Sequence, residues 1–395
     1  GGAKDSEDLG YGLVSTLTSK LQPLQNLVVI AKESARKFKD SEQSPREIGQ
    51  ALGAGTIVTG EIQTSGDKIQ VNIQLINANT EALGWGSTFT KTKDEFLDLQ
   101  NEIATKLASE LKGGLDAAET RQLAQKATEN PEAQAEYQAG RREWNKRSKE
   151  GFDKAIKHFE KAIELDPNFA LAYSGLADIY IVYPYWQIEP PTMAFPKARE
   201  NADKARTLDP TLAETWATLG ALETGEHNWS KADEMYAHSI SLNKNYATAW
   251  QWRGALKLET GSPNLAVEYA NKAFELDPIS PIISGALGRF NLFSNKPEES
   301  IPHFQRAYDL SGKENVNFII RSALAYLRLN QAEKGIKVIE QHVEDITHII
   351  PALSYTARCE ANLGNKGRAY ELLTTLLHLK TKPDRYVSEP FIADV

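Results

Sequence analysis

The residue types that could do chemistry are few and thinly spread. Cys359 is the one cysteine, which excludes an internal disulfide and any zinc or iron–sulfur site built from several thiolates. It lies between Ala357 and Ala361 with no histidine assigned as its base, the setting of a buried, inert thiol and not of a nucleophile. The seven histidines are scattered; His158 and His303 occupy one repeat position, which marks structure and not a metal pair. Gly53-Ala54-Gly55 could cradle a phosphate, but it leads from a helix to a strand, and a dinucleotide loop needs the reverse order. Phosphate-loop, G-x-S-x-G and His-Glu-x-x-His patterns are all missing. Glu298-Glu299 and Asp94-Glu95 stand near expected helix starts, where negative charge offsets the helix dipole. The chain is therefore read as non-enzymatic, with no catalytic, cofactor or metal residues.

The elements that would position any site belong to a folded, divided chain. At roughly 150 residues per domain, 395 residues imply two or three units, because a single core rarely grows past about 250–300 residues. A hydrophobic share of 41% and a charged share of 25% fit a folded protein. Lys and Arg number 45 against 53 Asp and Glu, for a net −8. That argues against a general nucleic-acid binder, whose footprint is a basic surplus or stripe. No run of about 18 apolar residues is present, and the opening Gly1-Gly2-Ala3-Lys4 lacks the apolar stretch of a signal peptide.

Repeats dominate the rest. Leu165-Asp166-Pro167 recurs as Leu208-Asp209-Pro210 and Leu276-Asp277-Pro278, with Leu242-Asn243-Lys244 between the last two. Pro210, Lys244, Pro278 and Gly312 are 34 residues apart, as are Ala198, Ala232, Ala266 and Ser300, followed by Gly335 and Ala369. Gly220, Gly254 and Gly288 precede that second column by 12, and Ala323 and Ala357 continue them. The physical reading is a stack of helical hairpins. Small residues sit where the two helices cross, Phe159, Tyr236 and Phe304 fill the space between hairpins, and the proline ends the second helix. Gly175 to Ala198 is 23 instead of 12, an 11-residue insertion over Ile181–Pro191. Its prolines and its aromatics Tyr183, Tyr185 and Trp186 make an ordered excursion, which either covers a neighbouring hairpin or serves as a contact site.

The first 115 residues follow another rhythm. A helix is expected over Asp8–Leu21, a short apolar strand over Leu27–Ile30 and a helix over Pro45–Leu52. Val58, Gly60 and Ile62, then Ile69, Val71, Ile73 and Leu75, then Leu83, Trp85 and Phe89 alternate with period two. Ser65-Gly66-Asp67 and Asn77-Ala78-Asn79 supply the turns of an antiparallel meander. Phe96, Leu99, Ile103, Leu107 and Leu111 then share one helix face. The fold class is α+β, mostly α: a small α/β domain of three meander strands plus one further strand, then an α-solenoid of about seven hairpins. The division expected is 1–115 for the α/β domain, 116–132 for a linker or helix, 133–382 for the solenoid and 383–395 for a tail or the start of a further repeat.

Trp216, Leu219, Gly220, Ala232, Tyr236 and Pro210, at a period of 34, resemble the tetratricopeptide repeat. Gly12-Leu13, Leu27 to Ala31, Ile48 to Ala54, Thr59 to Ile62 and Gln74 to Ala78 resemble the TolB-like amino-terminal domain. The two resemblances cover nearly the whole chain. Such tandems occur in the carboxy-terminal region of bacterial class III adenylate or guanylate cyclases, Ser/Thr kinases and CadC-type winged-helix regulators, often after a transmembrane helix. In those relatives a strand precedes the Gly-Leu helix. Nothing before Asp8 could form it, so an open sheet edge beside Leu27–Ile30 is expected, one that could pair with another copy.

The resemblance implies a non-catalytic protein-interaction or regulatory module of a bacterial signalling protein, which binds a protein or peptide in its concave repeat surface. The alternative is a fragment of a cyclase, kinase or winged-helix regulator whose catalytic or DNA-binding domain lies upstream. Either compartment beside the inner membrane, cytoplasm or periplasm, is compatible. In tetratricopeptide repeats the groove-facing sites fall three before and one, four and five after the glycine column. Here these sites hold Gln251, Glu259, Arg289, Phe293, Arg328 and Arg358, with Tyr185 and Trp186 of the insertion as a second contact site. Guanidinium forks suit an acidic peptide or a carboxylate. The bland alternative is a solvated face with compensating glutamates.

Overall fold

The structure, a computed structural model, describes residues 2–186 and 188–380. It divides into two units. The first holds residues up to Ile181, Phe195–Ala249 and Glu275–Pro278; the second holds Val182–Ala194, Trp250–Phe274 and the chain from Ile279 onward.

The first unit begins with α1 (Gly2–Leu21), α2 (Lys32–Arg36) and α3 (Pro45–Leu52). Ser44 and Glu47 start α3 with a reciprocal cap: the Ser44 hydroxyl accepts from the Glu47 N–H, and the Glu47 carboxylate accepts from the Ser44 N–H at 2.8 Å. Gly53, at φ +64°, ends it. β1 (Thr56–Ser65), β2 (Lys68–Asn77) and β3 (Leu83–Thr92) form the antiparallel meander in the order β1-β2-β3. α4 (Phe96–Lys112) and α5 (Ala117–Ala124) follow. Alternation along β2 buries Ile69, Val71, Ile73 and Leu75 on one face, where Leu13 and Leu17 of α1 and Leu99, Ile103 and Leu107 of α4 pack on them.

The further strand expected at Leu27–Ile30 does not join this sheet. Those residues are extended but belong to no ladder, and the chain enters them through Asn26 in the left-handed region, at φ 60°. Their polar groups bond instead to the repeats, as described below. The open edge expected beside them is therefore absent.

Seven hairpins follow among the described residues. In the first unit α6 (Pro131–Trp144) pairs with α7 (Lys149–Leu165). α8 (Ala170–Val182) and α9 (Pro191–Leu208) form the second hairpin, and α10 (Ala213–Gly225) with α11 (Trp229–Leu242) the third. The fourth is α12 (Ala247–Glu259) and α13 (Pro263–Leu276), and the fifth α14 (Pro281–Phe293) and α15 (Pro297–Leu310). In the sixth, the first helix breaks at Arg321 into α16 (Val316–Ile320) and α17 (Ser322–Arg328), which precede α18 (Ala332–His342). α19 (Ile350–Asn362) and α20 (Lys366–Lys380) complete the series. The expected tail, 383–395, lies outside the described residues.

The small-residue columns do what their spacing implied. A Cβ on Gly140 or Gly175 would come within 2.5 or 2.7 Å of the Phe159 ring, so one aromatic fills the gap between two hairpins. Tyr236 lies on Gly220 and Phe304 on Gly288 in the same manner, each at 2.8 Å. At the turns, Asp166 and Asp209 each accept the N–H two residues on, at 2.9 Å, closing the turn before the next hairpin. The insertion is spread over three places. α8 runs two residues longer past its glycine than α10, α9 starts four residues earlier before its alanine than α11, and the connection takes the other five. Of its aromatics, Tyr183 is buried and Tyr185 is 73% exposed.

Candidate protein-interaction surface

Two surfaces of the repeats carry recognition chemistry, one in each unit. In the first unit the residues that follow α1 are held by the repeat turns. Asn245, buried in the turn before α12, donates through Nδ2 to the carbonyls of Gln22 at 2.6 Å and Leu27 at 2.8 Å, and its Oδ1 accepts from the Val29 N–H at 3.4 Å. The Ala31 N–H donates to the Leu276 carbonyl at 2.9 Å, at the end of α13. Asp277 takes the Ser34 hydroxyl at 2.5 Å, and burial pushes its carboxyl up to about 6 despite that bond. Asn145 at the end of α6 donates to Glu33 at 2.7 Å. Residues 22–36 are thus bound in cis as an extended peptide would be, through backbone groups. On the facing repeats Arg141 pairs with the buried Asp178 at 2.9 Å, and Thr218 donates to the other Asp178 oxygen at 2.8 Å. Burial raises the Asp178 carboxyl, and Arg141 and Thr218 oppose that rise.

In the second unit the surface is open. Tyr185 stands beside Glu259 at the end of α12 and Arg289 on α14. Burial and Glu259 push its hydroxyl up, and Arg289 opposes them. Its side chain nevertheless meets solvent. Burial and the like charge of Arg321 disfavour the Arg289 guanidinium; Glu259, Tyr185 and Tyr355 favour it. Phe293, at the end of α14, is 45% exposed. The Arg328 guanidinium lies 5.1 Å from the Phe293 ring and donates to the Leu292 carbonyl, so part of its fork already serves to cap α14. The expected site residues therefore form two sets, Tyr185–Glu259–Arg289 and Phe293–Arg328. Gln251 and Arg358 lie half-buried on α12 and α19, and no described contact joins them to either set. Trp186 is half-buried, and its N–H closes the turn onto the Val182 and Tyr183 carbonyls, both at 3.2 Å.

Reading the sequence missed Asn245, Asp277 and the Arg141–Asp178 pair. The one signal available was the turn Asn243-Lys244-Asn245, which departs from the Asp-Pro pattern of the other turns. Elsewhere in the first unit, a shallow polar groove is lined by Thr88 of β3, Asn101 and Thr105 of α4, Thr120 of α5 and Lys126. The Lys126 ammonium is already held by Asp98 and Glu129, each at 2.8 Å. Cys359 is buried against Gly335, and burial pushes its thiol up to about 11. Among the described residues no group of three His, Cys, Asp or Glu could hold a metal, and no helix is long and apolar enough to cross a membrane.

Comparison with known proteins agrees with this geometry. Residues 146–181 match the model of the TPR repeat, and residues 247–280 that of the tetratricopeptide repeat. The chain is 22% identical over 168 residues to Putative adenylate cyclase 3 of Rhizobium meliloti (strain 1021), covering 42% of this chain and 29% of that protein. It is 24% identical over 281 residues to the transcriptional regulator HilA of Salmonella typhimurium, covering 69% of this chain and 48% of the regulator. It thus spans less than half of either relative. Among solved structures, a monomeric IFIT1 mutant with Gppp-AAAA superposes with a TM-score of 0.54 at 13% identity, covering 72% of this chain and 76% of that one. That likeness shows the fold alone. The chain accordingly contains tetratricopeptide repeats, set in a tetratricopeptide-like α-solenoid behind a small α/β segment, a fold that generally mediates protein–protein interaction.

Proposed function

We propose that this chain is a non-catalytic interaction module of a bacterial signalling protein, and that the second unit binds an acidic peptide segment of a partner protein. One observation carries the reading: Tyr185 is 73% exposed in a set with Arg289 and Glu259, the like charge of Arg321 disfavours the Arg289 guanidinium, and among the described residues no carboxylate forms an ion pair with Arg289 or Arg321. A partner carboxylate would relieve that repulsion through a bidentate, charge-assisted bond. Tyr185 and the exposed Phe293 would supply apolar contact area at small cost in rotamer entropy. The α/β segment at 1–115 is proposed as the TolB-like domain and 133–382 as the repeat domain, joined by 116–132. A second reading is favoured by the two relatives named above. A cyclase and a regulator share only part of their length with this chain, so the same module would serve a catalytic or DNA-binding domain of one longer protein.

The test uses a fluorescent Asp/Glu-rich peptide with one aromatic residue, followed by anisotropy. Wild type is expected to bind it with an affinity that falls as salt rises. Arg289→Glu combined with Arg321→Glu should weaken binding at least about tenfold, or about 1.4 kcal/mol, with the thermal midpoint nearly unchanged. Equal affinity in the double variant would move the site away from these helices.

A further inference from the structure

A cluster of positive charge lies in the first unit, on α1, α2 and α6. Tyr11 of α1 has three cations around its ring: the Lys32 ammonium at 4.8 Å from the centroid, and the guanidinium carbons of Arg36 and Arg142 at 5.1 Å each. Any two of them are therefore within roughly 10 Å, about one Debye length at physiological salt. Arg142 pairs with Asp8 at 3.1 Å, Arg36 leans toward Glu33 at 3.7 Å, and Arg141 is committed to Asp178. Lys32 is left with the neutral Ser15 hydroxyl at 2.8 Å. Of the charged groups acting on Lys32, Arg141, Arg36 and Arg142 oppose its charge, and Glu33 alone supports it.

One hydrogen-bond donor at this cluster ends on nothing: the Tyr11 hydroxyl is buried without a partner among the described residues. Lys32, Tyr11 and Arg142 are only half-buried and Arg36 is exposed, so solvent reaches the cluster. Among the described residues Asp8 and Glu33 offset only part of this positive charge, and the surplus charge and the orphaned hydroxyl each carry a cost.

We propose that the cationic cluster of Lys32, Arg36 and Arg142 around Tyr11 binds a small phosphate-bearing anion. A phosphate dianion has the charge the site lacks, and enough acceptor oxygens to meet an ammonium, two guanidinium forks and the Tyr11 hydroxyl. Burial and the arginines hold Lys32 down to about 7. A bound anion would restore its charge, so binding takes up a proton near neutrality. Because the cluster draws on α1, α2 and α6, its ligand would bridge the α/β segment and the first hairpin within the first unit.

The test is calorimetric titration of the full chain with inorganic phosphate and with AMP, at fixed ionic strength and with chloride as the control. Saturable binding is expected. Lys32→Gln and Arg142→Gln should each weaken it at least about tenfold, and Lys154→Gln, on the exposed face of α7, should not. Affinity for AMP at least about tenfold above that for phosphate assigns a phosphorylated metabolite, and equal affinities assign the free ion. A second measurement needs no variant. At pH 7.5 an amine-acylating reagent should label Lys32 readily, and phosphate should protect it. Lys20, held down to about 8 by burial, should label without protection. No saturation by about 10 mM of either anion, equal affinity in the variants, or unprotected Lys32 would overturn the proposal.

Discussion

The turn before α12 and the exposed end of α14 are built on the same 34-residue plan and end in opposite states. At the turn, Asn245 spends its whole amide on backbone groups of residues 22–29. At the end of α14, Phe293 faces solvent and Arg328 covers its ring. Hairpin helices satisfy their own backbones, so turn and groove positions are free to change chemistry without disturbing the stack. Where a position meets the chain's own extended segment, a neutral amide serves best. It offers donor and acceptor together and avoids the desolvation cost of a charge. Where it meets solvent, arginines survive because water hydrates their charge. The contrast teaches that one repeat scaffold can hold an extended segment in cis at one place and leave an aromatic and a cation at the surface in another.

The largest way to break the comparison is to remove the scaffold beneath the occupied surface. Phe159→Ala empties the space between Gly140 and Gly175 and should destabilise the first unit by about 3–5 kcal/mol in denaturant unfolding; a loss under about 1 kcal/mol would mean the hairpins do not rely on that ring. Asn245→Ala comes next. It leaves two carbonyls and one N–H without their partner and should cost about 2–3 kcal/mol. Amide exchange of Val29 should rise well before global unfolding, and unchanged protection there would sink the cis-peptide account.

Asp277 gives a smaller, pH-dependent effect. Its carboxyl is raised to about 6 in the folded chain, above its value of about 3.9 when unfolded. The folded state therefore binds the proton more tightly. The contribution is fully present below about pH 4 and is lost as pH rises through about 6, amounting to roughly 1–3 kcal/mol after allowance for partial solvent access. Asp277→Asn keeps an acceptor for Ser34 and should flatten that part of the stability–pH profile, leaving the variant at least as stable as wild type at pH 7.5. An unchanged slope between pH 4 and 6 would point to other carboxylates. The smallest effect is expected at the open surface: Phe293→Ala should alter stability by less than about 0.5 kcal/mol while weakening the acidic peptide probe. A large stability loss would show that this ring serves packing instead of recognition.

Much of the architecture is legible in the amino-acid order, because it rests on contacts that repeat at short range. Gly175, Gly220 and Gly288 mark helix crossings since an added Cβ would strike the neighbouring aromatic ring. The Asp-Pro turns stop helices through local hydrogen bonding, and alternation along Ile69–Leu75 fixes which face of β2 is buried. Ser44 and Glu47 start α3 without help from any distant residue. The groove positions are legible as positions, by their distance from the glycine column, but not as contacts. That Arg328 spends part of its fork on the Leu292 carbonyl depends on the spacing of two hairpins.

What the amino-acid order alone determined, then, is the period, the helix ends and the buried faces, since each follows from residues within one or two repeats of each other. What only the tertiary structure decided is where the apolar run Leu27–Ile30 would go. By local pattern it is a strand, and a sheet stands next to it in the chain. Yet Asn245 lies 216 residues from Val29 in sequence, and no periodicity or turn rule spans that separation. An extended backbone needs partners for its N–H and C=O groups but does not specify which, and a buried amide in a repeat turn takes the Leu27 carbonyl and the Val29 N–H where a fourth strand could have.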